Sequence, residues 1–353
     1  MKLFIQPDDG SEPLLKAINA ARKTVEIMIF RFDEKHIESA LVNAVKRGVS
    51  VTALIAFTNR GGEKRLRGLE SRLLGAGATV SRTSDDLARY HGKYMVVDRK
   101  KLYVLAFNFT SSDIEQSRSL GVMTTNTKLV QEAGKLFIAD SNRQPYVSAS
   151  SSFLVSPVNS RQKLAELLKS AKTSLLIYDL EISDKGMLEI LEEKATAGVE
   201  IRVIGSVKPS NPNLLVRHSN ALRLHVRCIV CDGARVFLGS QSLRRFELDM
   251  RREVGILMKD TAIASKITKV FELDWESGKS AGIPVSKVAG KVAKAVTKSM
   301  AAVGPVLDQL ASKSGKKLDI DRDGLQQTVN EAVKIAVRDA VHDAVVAGST
   351  AKE

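Results

Sequence analysis

Apolar residues along this chain follow two alternating periods, and the alternation is written twice. Leu14 opens an amphipathic stretch that runs through Ala21-Arg22-Lys23-Thr24 into a continuous apolar run, Val25 to Phe30. Spacing of three and four predicts a helix, and the short β-branched run after it predicts a buried strand. The same order returns with Leu164, Leu167 and Leu168, then Ala171-Lys172-Thr173, then Leu175-Leu176-Ile177-Tyr178. Each copy continues with a helix stopped by a glycine (Gly48, Gly198) and a second strand, Val49 to Ile55 and Val199 to Ile204. Glycine just past the last helical turn is the expected left-handed stop signal. Each copy closes with a helix bearing Phe-x-x-Asp, Phe137 to Asp140 and Phe271 to Asp274. Strands alternating with helices predict an α/β architecture of two related units.

The copies are offset by about 150 residues at first and by 134 later, so the first carries some 16 extra residues within 58–90, including the basic run Arg60 to Arg67. After Trp275 the composition changes to Ala, Val and Lys, without aromatic residues and with breaks at Gly282-Ile283-Pro284 and Gly304-Pro305. The expected division is therefore a first repeat over 1–150, a second over 151–278 and a basic helical tail over 279–353.

Length and charge narrow the class. The chain has 353 residues, 54 Lys+Arg against 40 Asp+Glu, and a net charge of +14. That balance points to polyanionic partners, nucleic acid or an anionic lipid surface. No apolar run is long enough to cross a bilayer, and the first residues lack the apolar centre of a signal peptide. Two cysteines exclude a disulfide framework and suit a reducing, cytoplasmic setting. Cys228 and Cys231 form Cys-x-x-Cys on a strand, where their side chains point to opposite faces, so core packing is expected.

The motif that carries chemistry also occurs twice: His91-Gly92-Lys93-Tyr94-Met95-Val96-Val97-Asp98 and His225-Val226-Arg227-Cys228-Ile229-Val230-Cys231-Asp232. In extended backbone, residues i and i+2 share a face, so His91 projects with Lys93 and His225 with Arg227. An imidazole beside a cation suits attack on a phosphodiester, with the cation stabilising the non-bridging oxygens. A second histidine can protonate the leaving oxygen and later activate water. Two half-sites brought face to face supply all of these groups.

These motifs resemble the phospholipase D superfamily, over residues 1 to about 278. The resemblance implies two αβα repeats with mixed sheets packed about a pseudo-twofold, both motifs lining one cleft, a phosphohistidine intermediate and no metal or cofactor. The family pattern continues with Gly-Ser-x-Asn and then an acid. The first copy has Leu105-Ala106-Phe107-Asn108 there, with Ser119 at the acidic position. The second has Gly239-Ser240-Gln241-Ser242, with Glu253 at the acidic position. The expected site is His91, Lys93, His225, Arg227, Asn108, Ser240 and Glu253, with Asp98 and Asp232 bracing strand ends. Glu253 makes the second copy the better equipped, since it can orient a histidine and the first copy has no counterpart. Which histidine attacks stays open. So does the substrate: phospholipid is favoured, a nuclease is the alternative, and a third reading is a catalytically weakened protein that binds phosphate-rich surfaces.

Outside the motifs, His36, His218 and His342 are expected on the surface. Asp319 to Gly324 opens like a calcium loop but lacks its closing glutamate, and helix capping by Asp323 explains it. In the tail, Lys287, Lys291, Lys294 and Lys298 share one helical face, so residues 285–303 are expected to touch an anionic membrane peripherally. A Val/Ala face over 329–346 suits self-association.

Overall fold

Two left-handed glycines set the first architectural step in each repeat. Gly48 (φ +85°) and Gly198 (φ +86°) end a helix and turn the chain into the next strand, a conformation that costs a side-chain-bearing residue about 1 kcal/mol or more. The computed structural model describes residues 1–57, 63–219 and 222–280, which belong to one compact unit, Met1–Ala281. Residues 285–303 and 329–346, for which helices are expected, residues 319–324 and His342 lie outside the described residues.

The first repeat contains β1 (Lys2–Gln6), α1 (Glu12–Asn19), β2 (Thr24–Ile29), α2 (Lys35–Lys46), β3 (Ser50–Ile55), α3 (Glu63–Gly75), β4 (Thr79–Arg82), β5 (Arg89–Tyr90), β6 (Tyr94–Val97), β7 (Lys101–Leu105), α4 (Ser111–Glu115), β8 (Ser117–Thr124) and α5 (Thr127–Ser141). The second contains β9 (Phe153–Val155), α6 (Ser160–Lys169), β10 (Ser174–Ile182), α7 (Lys185–Thr196), β11 (Glu200–Val207), β12 (Leu215–His218), β13 (Arg223–Leu224), β14 (Cys228–Cys231), β15 (Arg235–Gly239), α8 (Arg245–Asp249), β16 (Arg251–Arg252), β17 (Val254–Lys259), α9 (Thr261–Ser277) and β18 (Lys279–Ser280). The insert of the first repeat forms α3, whose Leu66, Leu69 and Leu73 are buried.

Each repeat builds a mixed sheet of the same order, β1-β8-β7-β6-β2-β3-β4 and β9-β17-β15-β14-β10-β11-β12, with β18 added beside β12. The helical crossovers join parallel strands (β2 to β3, β10 to β11), while tight hairpins join antiparallel ones (β6 to β7, β14 to β15). Both hairpins turn on two left-handed residues, Asp98-Arg99 and Asp232-Gly233, the signature of a type I′ turn. The aspartates suit that conformation and use it: Asp98 accepts the backbone N–H groups of Arg22, Lys23 and Thr24, and Asp232 those of Lys172, Thr173 and Ser174. Each carboxylate therefore ties its hairpin to the start of the neighbouring strand.

Because both faces of each sheet are covered, the central strands are apolar on both sides. One outer layer buries α1, α2 and α3 against the first sheet, and another buries α6 and α7 against the second. The middle layer lies between the sheets and takes residues from both repeats, including Phe137 of α5 and Phe271 of α9. Cys228 packs in this middle layer and Cys231 in the outer layer of the second repeat; both are free thiols. His36 and His218 are exposed.

The repeats also exchange short strands. β5 pairs in parallel with β16 of the second repeat, and β13 pairs in parallel with β8 of the first. The Phe-x-x-Asp helices complete this clasp. Asp274 accepts Arg118 Nε at 2.7 Å and the Tyr178 hydroxyl at 2.7 Å, and Asp140 lies 3.2 Å from Arg252 Nε. Burial, opposed by Arg252, raises the Asp140 carboxyl to about 7.

Candidate active site

The exchanged strands deliver the motif histidines. β5 and β13 end immediately before His91 and His225, whose backbones are held by the opposite repeat: His91 N–H donates to the Arg252 carbonyl at 2.7 Å and His225 N–H to the Arg118 carbonyl at 3.0 Å. Neither half-site can therefore be formed by one repeat alone. Gly92 lets this approach happen, because a Cβ there would sit 2.9 Å from Val254 Cγ2.

Each histidine finds an acid from the repeat it does not belong to. The fully buried Glu253 places its carboxylate oxygens 2.9 and 3.0 Å from His91 Nδ1. This corrects the expectation that Glu253 equips the second copy and leaves the first without an acid. Glu253 directly follows β16, and β16 lies beside β5, so the residue belongs to the second repeat in sequence and to the first histidine in space. At the matching position of the first copy, Ser119 Oγ donates to the His225 carbonyl at 2.6 Å.

The acid beside His225 is Asp113, from α4 of the first repeat, with Oδ2 3.1 Å from Nδ1 but off the hydrogen-bond line. Sequence reasoning missed it. A usable signal was present: Asp113 and Glu247 are 134 residues apart and each lies five residues after the Asn108 or Ser242 position. Both carboxylates accept the backbone N–H of that residue, Asn108 at 2.8 Å and Ser242 at 2.8 Å.

The remaining expected residues surround this core. Lys93 Nζ donates to the His91 carbonyl at 2.7 Å and lies 3.0 Å from His91 Nε2. Arg227 Nε donates to Ser242 Oγ at 3.2 Å, while its Nη1 is buried without a hydrogen-bond partner. Asn108 Nδ2 donates to Asp113 at 2.7 Å, and its Oδ1 is likewise buried and unpartnered. Ser240 Oγ accepts the Val254 N–H at 3.1 Å and so pins the chain next to Glu253. The Phe30 ring stands edge-on to His91 at 4.5 Å. Asp98 and Asp232 stand at the far ends of β6 and β14, about 15 Å along the strand from the cations.

Burial dominates the electrostatics. It drives both imidazoles well below their ordinary pKa, helped at His91 by Lys93 and Arg227 and at His225 by Arg227 and Lys93. The cations of both repeats thus act on both histidines. Burial also lowers Lys93 to about 7, against the opposing pull of Glu253, and raises Glu253. Burial works against the Asp113 carboxylate too, but His225, the Asn108 N–H and Arg223 outweigh it and hold its pKa below normal. Both imidazoles are neutral at pH 7, which leaves a ring nitrogen of each free to accept a bond. Among the described residues no group of three or more His, Cys, Asp or Glu side chains has the geometry to hold a metal ion.

A family model described as cardiolipin synthase, PLD-like domain, matches residues 14–141 and 164–275, one segment in each repeat. The chain belongs to this phospholipase D-like family. A mitochondrial cardiolipin hydrolase of Mus musculus is 28% identical over 130 residues, which are 37% of this chain and 55% of that protein. The match thus spans about half the length of that curated relative. Two solved structures share the fold. A polyphosphate kinase from Porphyromonas gingivalis has a TM-score of 0.65 at 19% identity, over 78% of this chain and 50% of that one. A phosphatidylserine synthase from Haemophilus influenzae Rd KW20 has a TM-score of 0.59 at 11% identity, over 79% of this chain and 87% of that one.

Within the family pattern, the departures in sequence now have neighbours. Arg227 meets Ser242 where the pattern has asparagine, so a longer, forked cation reaches a shorter side chain. Ala106, where the pattern has serine, is wholly buried between the sheets. No helix among the described residues is long and apolar enough to cross a membrane.

Proposed function

We propose that this protein is a metal-independent phosphodiesterase that works through a phosphohistidine on His91. The observation that carries this reading is the buried, aligned hydrogen bond between Glu253 and His91 Nδ1, with a cation from each repeat acting on the same ring. With the Nδ1 proton held by Glu253, the Nε2 lone pair attacks phosphorus. A P–N bond forms as the P–O bond to the leaving group breaks. Lys93 and Arg227, with its unpartnered Nη1, take up charge on the non-bridging oxygens. The diester's own negative charge favours the imidazolium of His225, which gives its proton to the leaving oxygen. Neutral His225 then takes a proton from water, which attacks phosphorus and releases His91.

Phospholipid is the favoured substrate. The relative named a cardiolipin hydrolase supports this, as does the environment of Phe107 and Phe109. These rings flank Asn108, and both are buried in the outer core layer rather than presented to a base.

The test is single-turnover labelling with phosphorus-labelled phosphatidylglycerol or cardiolipin, with and without EDTA, beside labelled single-stranded DNA. Acid-labile label on the wild type and H225N but not on H91N, unchanged by EDTA, is the expected result. Label that survives H91N, or turnover abolished by EDTA, would overturn the mechanism. Turnover of DNA alone would overturn the substrate.

A further inference from the structure

The pseudo-twofold supplies an internal control for every surface residue. Helices α4 and α8 occupy equivalent places and do the same structural work, each carrying an acid, Asp113 or Glu247, whose carboxylate accepts the backbone N–H of residue 108 or 242. Their outward positions differ. The first repeat has Ser111, Ser112 and Gln116, and the second has Arg245, Phe246 and Met250 at the same places, 134 residues on, while the buried cap Thr110 is matched by Arg244. Phe246 is 44% and Met250 50% exposed. The α4 copy shows that the fold works with serine and glutamine there, so packing does not account for a half-exposed phenylalanine and methionine.

This surface reaches the catalytic core through Arg251 and Met250. Arg251 lies over the Phe246 ring at 4.6 Å and bonds Glu247 at 3.1 Å, while its guanidinium is 3.7 Å from Glu253, the partner of His91. The Met250 carbonyl accepts the Ala88 N–H at 3.0 Å, beside Arg89, whose guanidinium lies over Phe30. Exposed apolar side chains set among arginines at the edge of a phosphodiester site match one environment in both respects. Lipid phosphates meet the cations, and the acyl boundary takes the phenylalanine and methionine.

We infer that α8 is the docking face for an anionic phospholipid bilayer, seating the second-repeat side of the cleft on the surface that supplies the substrate. This deepens the phospholipid reading above and rests on it. Phe246 and Met250 enter the interface while Arg244 and Arg245 stay at the headgroup level.

The experiment swaps the first-repeat residues into the second in the full chain, as F246S/M250Q. Sedimentation with vesicles of phosphatidylcholine and phosphatidylglycerol is read beside turnover of the soluble diester bis(p-nitrophenyl) phosphate. The expected result is vesicle affinity reduced about tenfold or more, from the apolar area withheld from the interface, with soluble turnover unchanged. A second variant, F246W, reports insertion at that position through quenching by brominated lipid beyond that of Trp275 in the wild type. Unchanged vesicle affinity, or no such added quenching, overturns the docking face. Lost affinity for a single-stranded oligonucleotide with vesicle binding intact overturns it in favour of nucleic acid. If the wild type fails to turn over any diester, the enzymatic reading falls while the vesicle and quenching arms still decide the surface.

Discussion

Replacing Glu253 with glutamine separates its chemical role from its structural one. The carboxylate is fully buried and both oxygens lie within 3.0 Å of His91 Nδ1. E253Q keeps the shape and removes the charge. A hydrogen bond to a charged group contributes about 1.5–3 kcal/mol. As His91 gains positive character during attack, losing that contribution lowers kcat by about 10- to 150-fold. A second effect carries a sign. Glu253 raises the pKa of Lys93, which burial has already brought down to about 7. Without Glu253 the Lys93 pKa falls further, and above its pKa the protonated fraction drops about tenfold per unit. The ratio of wild-type to mutant rate therefore grows from pH 6 to pH 8. Stability moves the other way. Burial raises the folded-state pKa of Glu253 above its unfolded value, so its ionisation destabilises the fold as pH rises through that window. E253Q should keep or raise Tm at pH 7. The assay is kcat on bis(p-nitrophenyl) phosphate from pH 5.5 to 9, with calorimetry alongside. A loss below threefold, or one of equal size at every pH, would refute the assignment of Glu253 to His91 and Lys93.

Other perturbations test the rest of the site and its frame. D113N should slow turnover less than E253Q, because Asp113 lies off the His225 hydrogen-bond line, yet cost about 1–3 kcal/mol in urea unfolding through its lost pair with Arg223. Because the Asp113 pKa is depressed, its contribution is present at neutral pH and fades as pH falls through the folded-state value, so the wild-type advantage over D113N shrinks in acid. R118A leaves the Asp274 carboxylate between the repeats without its guanidinium and should cost about 3 kcal/mol, read from the urea midpoint; D274N/R118A should recover part of it. G92V, which supplies the side chain that Val226 provides in the second motif, should cost about 1–3 kcal/mol by calorimetry and lower kcat, because Val254 already fills that space.

Much of this protein is local and so was open to sequence reasoning. Alternating helices and strands with Gly48 and Gly198 as stops depend on residues near one another in the chain. So does the projection of His91 with Lys93, and of His225 with Arg227, from extended backbone. The resemblance to the phospholipase D superfamily rested on those motifs, and the matched family segments and the paired mixed sheets agree with it. The acids were a different matter. Glu253 was visible as a residue, but its histidine was misassigned, and Asp113 was overlooked although its match with Glu247 is written in the sequence.

The pairings that decide the site join residues separated by more than 100 positions: His91 with Glu253, His225 with Asp113, and Arg118 with Asp274. Periodicity and motif spacing describe one strand or helix at a time and carry no information about which repeat faces which. That is set by the exchange of β5 and β13 across the pseudo-twofold, where backbone groups of each repeat satisfy those of the other. Sequence alone determined that there are two similar half-sites. Only the tertiary structure decided that each is completed by its neighbour, because burying both histidines requires hydrogen-bond partners that their own repeat does not place within reach.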